Sequence, residues 1–389
     1  MGFCCDRFKR TRELMKSLLI IAGEDSGDMH AADAIRALKE RCPDLVCWGI
    51  GGDRLRAEGV ELLHDTHEMD VLGVVEVVKR YPFFKKTFNE VLTETDRRKP
   101  AAALLVDYPG FNLRLARELK KRGVKVLYYI CPQVWAWNRG RIPKMAQIID
   151  RLMVIFPFEV DVFKGVDLKV DFVGHPMVDE LREFRLTEPE ELPWNGKKKL
   201  ALLPGSRKQE IIHILPKLLE TAKILEESRP DLSFLIPVPE RRLQLVESIL
   251  QNAEHAPGNI SIIAGRAREV LKQADAAFVA SGTATLEAAL LRCPTVLVYR
   301  ANRVNYWIAR AVIRIPWLGI ANIVSGKEIM PERLQQDMSP LKLIAAIDPL
   351  MNETPRRVAM LENFQALEKK LGSGRPAGRV ASIIAEELG

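Results

Sequence analysis

Short apolar runs of strand length alternate with helix-spaced stretches almost throughout this 389-residue chain, and that alternation restricts the fold more than any other feature. The first series reads "SLLIIAG", "LVCWGIGG", "AAALLVDYPG", "VKVLYYICP" and "RLMVIFP". Between these runs lie segments such as "NLRLARELKKRG", apolar at helical spacing and stopped by glycine. After "VDFVGHPMVDELREF" the rhythm pauses in the polar stretch "RLTEPEELPWNGKKK". A second series follows: "LALLPGSR", "LSFLIPV", "ISIIAG", "AAFVASGT" and "PTVLVYR". The pattern predicts an α/β protein of two Rossmann-like domains with a cleft between them. Residues 1–14 are expected to be a disordered extension, 15–180 the first domain, 181–350 the second, and 351–389 a helical segment closing the structure. A chain this long also suits two cores better than one.

The net charge of +7 favours an anionic partner: nucleic acid, a phosphorylated small molecule or an anionic membrane. No basic stripe interleaved with base-stacking aromatics stands out, so nucleic acid is not expected. Cys4, Cys5, Cys42, Cys47, Cys131 and Cys293 form no CxxC pair and no metal-finger spacing, which fits a reducing, cytoplasmic setting. The first 20 residues carry no secretory pattern, and Met15 directly before "KSLLIIAGE" is a candidate start. "MGFCC" resembles an acylation signal, but Asp6 stands where Ser or Thr is wanted.

Nicotinamide and P-loop chemistry lose their support at once. In "GIGGDRLRAEG", Gly49, Gly51 and Gly52 are present, but Arg54 occupies the third glycine position, and no GxxxxGK[ST] occurs. "LALLPGSRKQEI" instead offers a strand, a turn at Gly205 and Ser206, and a helix start carrying Arg207 and Lys208. Helix N-terminal N–H groups with an adjacent Arg form a candidate diphosphate clamp. "FVASGTATLEAALL" repeats the geometry with Ser281, Gly282 and Thr283, and Glu287 lies a turn further on, placed to accept from ribose hydroxyls. Singly, each loop is also an ordinary helix start; two at the C-terminal edge of one sheet favour a nucleotide.

In the first half, Asp107 closes the apolar run of "LLVDYPGFNLRLA", where α/β enzymes place catalytic groups, although a turn aspartate fits equally. "IIAGEDSGDMH" has the strand–turn–helix form of a phosphate loop, yet it is acidic, with Glu24, Asp25 and Asp28. "CPQVWAWNRGRIPK" places Trp135 and Trp137 on one strand face ahead of Arg139, Arg141 and Lys144, suited to a sugar phosphate or to packing. His64 and His67 in "HDTHEMD" match no metal-ligand spacing, and a polar loop is the simpler reading. In "MDVLGVVEVVKRYPFFKK", apolar Val71, Leu72, Val74, Val75, Val78, Phe83 and Phe84 are interleaved with Lys79, Arg80, Lys85 and Lys86. That stretch is too short and charged to span a bilayer; it suits a helix in the membrane interface or an ordinary core helix. "NYWIARAVIRIPWLG" has a similar character.

Taken in order, "GEDSGD", "GIGGDRLRAEG", "VDYPGFN", "PQVWAW", "VGHPMVDE", "LLPGSR", "ASGTATLEAAL" and "ANIVSGKEIMPE" closely resemble the lipid-A-disaccharide synthase family, membrane-associated glycosyltransferases of the GT-B type. The likeness extends from about Met15 to the C-terminus. It implies transfer of a diacylglucosamine from UDP-2,3-diacylglucosamine to the 6-hydroxyl of 2,3-diacylglucosamine 1-phosphate, with inversion, on the inner face of the inner membrane. It further implies Asp107 as the base and Arg207 as an essential catalytic arginine. Gly205, Ser206, Arg207, Ser281, Gly282, Thr283, Glu287 and Asn322 would hold the nucleotide. With the nucleotide in the second domain, Glu24, Ser26, Gly27 and Asp28 would bind the acceptor sugar or shape its pocket. No cofactor or metal is expected, and a homodimer is one option for the assembly. Two positions depart from the family pattern: Gly110 replaces a second acid near Asp107, and Ala321 replaces a Pro before Asn322. The nearest rivals are a peptidoglycan N-acetylglucosaminyltransferase, which should open on a Gly-rich loop that "AGEDSGD" is not, and a UDP-N-acetylglucosamine epimerase.

Overall fold

The apolar runs become parallel strands whose alternate residues feed two different cores. The computed structural model describes residues 16–69, 80–301, 315–372 and 374–389. It divides into two units: one ends at Pro176 and takes back Gly374–Gly389, and the other is Met177–Ser373.

The first unit's sheet contains β1 (Ser17–Ala22), β2 (Val46–Gly51), β3 (Glu61–Asp65), β4 (Ala102–Val106), β5 (Lys125–Tyr129), β6 (Arg151–Val154) and β7 (Lys169–Phe172). They lie in the order β3-β2-β1-β4-β5-β6-β7, with parallel pairing throughout. Because side chains alternate along a strand, Leu18, Ile20, Leu104 and Val106 enter one core cluster, while Leu19, Ile21, Ala103 and Leu105 enter the other. Both faces are therefore covered, as a parallel sheet requires.

The second unit's sheet contains β8 (Lys198–Leu203), β9 (Leu232–Val238), β10 (Ile260–Ala264), β11 (Ala276–Ala280), β12 (Thr295–Tyr299) and β13 (Glu332–Leu334), in the order β10-β9-β8-β11-β12-β13. Both sheets thus run outward from their first strand and then resume on its other side. That reversal creates a switch point between β1 and β4, and another between β8 and β11. Open α/β sheets bind ligands beyond the carboxyl ends of the strands at such points.

The segment 351–389, expected as one closing piece, is divided between the units. The helix Pro355–Lys370 belongs to the second, whereas Pro376–Leu388 belongs to the first. Val380, Ala381, Ile383 and Ile384 of the last helix share a core cluster with Ala31, Ala34, Ile35 and Leu38 of the helix Asp25–Lys39. Buried Arg151 on β6 pins that helix by pairing with Glu386 at 2.8 Å and Glu387 at 3.1 Å, and with Asp171 at 2.7 Å. Among the described residues, no helix is long and apolar enough to cross a membrane. Residues 1–14, Met15, and Val71, Leu72, Val74, Val75 and Val78 lie outside the described residues, as does most of "NYWIARAVIRIPWLG".

Candidate active site

At the first switch point, the loops after β1 and β4 meet. Asp107 and Tyr108, directly after β4, both adopt left-handed backbone, with φ of 44° and 47°. Two consecutive non-glycine residues in that region store strain, which persists only where surrounding bonds over-determine it. Here the Asp107 carbonyl accepts from Tyr128 Oη at 2.6 Å and from Asn112 Nδ2 at 2.8 Å, and the Asp107 N–H donates to the Tyr129 carbonyl at 2.9 Å. The helix Pro109–Lys121 then starts at once, its proline pre-set for the first turn. The result is a half-buried carboxylate held at the strand end.

Burial raises the Asp107 carboxyl to about 6, the nearby Glu24 charge adds to the rise, and the Tyr108 backbone N–H opposes it. A base poised near neutrality suits proton abstraction from a hydroxyl. Glu24 comes from the opening acidic loop. That loop approaches so closely that a Cβ on Gly23 would lie 2.5 Å from the Tyr108 ring. Glu24 and Ser26 are exposed, whereas Gly27 rests buried on the ends of β1 and β4.

Asp28 has a structural role. Its buried carboxylate accepts from the backbone N–H groups of Gly52 at 2.6 Å, Arg54 at 3.1 Å and Leu55 at 3.2 Å. It caps the short helix Asp53–Ala57 and thereby joins the first two signature motifs. Any contribution of Asp28 to the pocket is therefore one of shape.

The tryptophan motif is corrected by the structure. Val134–Trp137 is a short helix rather than a strand, so the two rings do not share a face. Trp135 is buried and donates from Nε1 to Glu159 at 3.0 Å, while Trp137 is half exposed beneath Arg141 at 5.3 Å. Glu159 also accepts from the Phe156 N–H at 3.1 Å, and burial pushes its carboxyl up to about 7. Phe156 in turn packs on His175, ring centroids 5.1 Å apart, and burial together with His30 lowers that imidazole to about 3. Glu159 thus ties "PQVWAW" to "VGHPMVDE". His64 bridges Glu68 at 3.1 Å and Glu90 at 2.7 Å. Among the described residues, no group of three or more His, Cys, Asp or Glu is placed to hold a metal.

At the second switch point, β8 ends in Pro204–Gly205–Ser206, and the helix Lys208–Ser228 follows with Arg207 as its N-cap. Gly205 has φ of 107°, outside the range of ordinary side chains. Glu210 accepts from the Arg207 backbone N–H at 3.3 Å, and its carboxylate lies 3.3 Å from the guanidinium. The Arg207 side chain is otherwise 84% exposed, a cation at the N-terminus of its helix. Across the switch point, Ser281 and the exposed Gly282 and Thr283 follow β11 and open the helix Thr283–Leu290. Glu287 is gripped by Arg268 at 2.7 Å, which also pairs with Glu180 at 2.5 Å, leaving one Glu287 oxygen uncommitted to that pair.

Asn322 is fully buried and already saturated. Its amide oxygen accepts from Ile329 N at 2.8 Å and Met330 N at 2.9 Å; its nitrogen donates to Met330 O at 2.9 Å and Glu332 at 2.8 Å. Glu332 also takes the N–H groups of Leu318 and Gly319, each at 2.9 Å. Asn322 therefore orders the 318–332 loop. Tyr128, Asn112, Glu159, Arg268 and Glu332 were not singled out from the sequence, because their roles depend on partners distant in the chain. Phe83 and Phe84, expected at a membrane, are half-buried and pack against the core cluster of Leu19, Ile21 and Leu105, with Arg80 over the Phe83 ring at 4.9 Å.

A family model described as lipid-A-disaccharide synthetase matches residues 18–378. The lipid-A-disaccharide synthase of Myxococcus xanthus is 38% identical over 381 residues, covering 95% of this chain and 97% of the relative. That of Geobacter sulfurreducens is 36% identical over 383 residues, covering 97% and 99%. Among solved structures, an S. aureus MnaA–UDP co-structure matches with a TM-score of 0.63 at 12% identity, over 96% of this chain and 97% of that one. The glycotransferase of kitacinnamycin matches with a TM-score of 0.63 at 15% identity, over 96% and 99%. At such identities the structural likeness is one of fold, the two-Rossmann-domain class that includes GT-B glycosyltransferases and UDP-N-acetylglucosamine 2-epimerases. The sequence matches extend over nearly the whole chain at well above that level, and they establish that it belongs to the lipid-A-disaccharide synthase family.

Proposed function

We propose that this glycosyltransferase moves 2,3-diacylglucosamine from UDP-2,3-diacylglucosamine to the 6-hydroxyl of 2,3-diacylglucosamine 1-phosphate. The products are the β-1,6-linked disaccharide 1-phosphate and UDP. The observation that carries the reading is Asp107: a strained, half-buried carboxylate at a switch point, raised to about 6.

In this mechanism the acceptor's 6-oxygen attacks the anomeric carbon of the donor from the face opposite UDP. The bond from that carbon to the diphosphate oxygen breaks, and the α-linked donor yields a β-linked product. Asp107 takes the hydroxyl proton, a contribution of about 10²–10⁴-fold. Negative charge grows on the departing diphosphate. The N–H groups after Gly205 and Gly282, with the Arg207 guanidinium, are suited to stabilise it. Ser281 and Thr283 supply hydroxyls, Glu287 meets the ribose, and Asn322 acts through the loop it orders. Glu24 and Ser26 face the acceptor sugar, with Gly27 and Asp28 shaping its pocket. Both substrates are lipids, so the enzyme works as a peripheral protein on the inner face of the inner membrane.

The test supplies both lipid substrates in detergent and measures products. Equimolar UDP and a disaccharide with a β-configured new linkage are expected. UDP-N-acetylglucosamine turnover without acceptor, and no disaccharide, would instead assign the chain to epimerase chemistry.

A further inference from the structure

Beside the turn that carries Asp107 lies a cavity of about 480 Å³, within the range of roughly 300–1,000 Å³ usual for small-molecule sites. Its walls, among the described residues, are Tyr81, Phe84 and Phe88 of the helix Tyr81–Arg98, and Tyr108, Gly110 and Phe111 at the head of Pro109–Lys121. The rings support one another: Phe88 meets Phe111 edge-on at 5.6 Å, and Tyr108 meets Phe111 at 6.2 Å. They form a preformed apolar hollow. Its lining includes two cations, Lys85 and Arg114. Lys86 pairs with Glu90 at 3.6 Å and Arg122 with Asp96 at 2.9 Å, whereas Lys85 and Arg114, which line the cavity, have no ion-pair partner among the described residues.

We propose that this cavity seats one acyl chain of the acceptor and that Lys85 and Arg114 receive the acceptor's phosphate. The inference rests on the reaction proposed above, whose acceptor carries both a hydrocarbon chain and a phosphate. Shape favours a chain over a bilayer: a single chain enters a concavity, whereas a lipid surface needs an apolar face that projects. Position favours the acceptor over the donor. Tyr108 lines the cavity and directly follows the base, so a chain held there brings its own sugar hydroxyl to Asp107. The anionic diphosphate loops belong to the other unit. Charge favours the same assignment, because the cations stand at an otherwise apolar site.

The experiment uses the full-length enzyme and water-soluble acceptors with short acyl chains, below micelle formation and without detergent or vesicles. Each added methylene should lower the wild-type KM about fourfold, the transfer preference of one CH2. A Cβ on Gly110 would meet nothing within 4 Å, so Gly110→Leu fills the cavity without displacing backbone. It should flatten the chain-length dependence to below about twofold per methylene. Phe88→Ala provides an independent check by widening the cavity, and should shift the preference towards longer chains. Arg114→Gln should raise KM about tenfold for the phosphorylated acceptor, while leaving the acceptor without its 1-phosphate unaffected. If folded Gly110→Leu and Phe88→Ala enzymes make disaccharide with the wild-type chain-length dependence, the cavity assignment is wrong and the reaction stands. If the variants lose binding to anionic phospholipid vesicles while that dependence persists, the face serves the membrane and the proposal is overturned. No disaccharide from wild type with any acceptor would remove the reaction and the cavity assignment together.

Discussion

Replacing Asp28 separates a structural carboxylate from a substrate-binding one. Asp28→Ala removes the acceptor for three backbone N–H groups, those of Gly52, Arg54 and Leu55. Arg54 is exposed, so water replaces its lost partner; Gly52 and Leu55 are buried and have no such recourse. Each unsatisfied buried donor costs about 1–3 kcal/mol, and a lost cap alone about 1 kcal/mol. With two such donors, the expected destabilisation of the first unit is therefore about 2–6 kcal/mol. Asp28→Asn keeps one oxygen for the Gly52 and Leu55 bonds but turns an NH2 towards Arg54 N–H, and should cost about 1–2 kcal/mol. Urea unfolding gives the magnitude, and hydrogen exchange in the peptide spanning Gly51–Ala57 localises it. Acceptor KM should change only as far as the folded fraction does. An unchanged unfolding midpoint and unchanged exchange at Gly52 and Leu55, with a raised acceptor KM, would refute the capping role and return Asp28 to direct sugar binding.

Other perturbations have equally specific outcomes. Because Asp107 is raised from 3.8 to about 6, kcat/KM should fall with unit slope as pH drops below that value, and Glu24→Gln should move the break downward. The same shift affects stability. A carboxyl raised in the fold contributes favourably below its unfolded value, and that contribution is lost as pH rises through the folded one. Asp107→Asn should therefore be about 2–3 kcal/mol more stable than wild type at neutral pH, as measured by urea unfolding at pH 4 and pH 7.5. Arg207→Ala should lower kcat about 10²–10³-fold and leave stability within about 0.5 kcal/mol, since its pair with Glu210 is exposed. Asn322→Ala should cost at least about 3 kcal/mol by orphaning buried backbone groups around Met330, and weaken UDP binding through the disordered loop, visible by calorimetry.

The strands legible in the sequence were those with continuous apolar runs, and the structure shows why. β1, β4, β8 and β11 lie inside their sheets; β4 and β11 are buried at every position, and β1 and β8 at all but their first one or two. β3, β7 and β13, which were not read as strands, are edges: "ELLHD", "KVDF" and "ERL" carry charges at half-buried positions. Edge strands use such charges to resist pairing with other chains, which hides them from apolar patterning. The glycine loops were visible because strand, turn and helix start are contiguous. The bonds from Asp28 to the helix Asp53–Ala57, from Tyr128 to Asp107 and from Glu159 to Trp135 span more than 20 residues, and local spacing carries no trace of them. Trp135 and Trp137 read as a strand pair because aromatic residues favour strands. The glycine-poor turn after Pro132 instead starts a short helix, and Glu159 captures one ring.

Whether Asp107 is the base of a glycosyl transfer is decided by comparing wild type with Asp107→Asn in one assay. Disaccharide formation from UDP-2,3-diacylglucosamine and 2,3-diacylglucosamine 1-phosphate is measured beside UDP binding by calorimetry. The mutant should fold, bind UDP with unchanged affinity and show a kcat lower by about 10²–10⁴-fold. A mutant that binds UDP and forms disaccharide at the wild-type rate would contradict the base assignment.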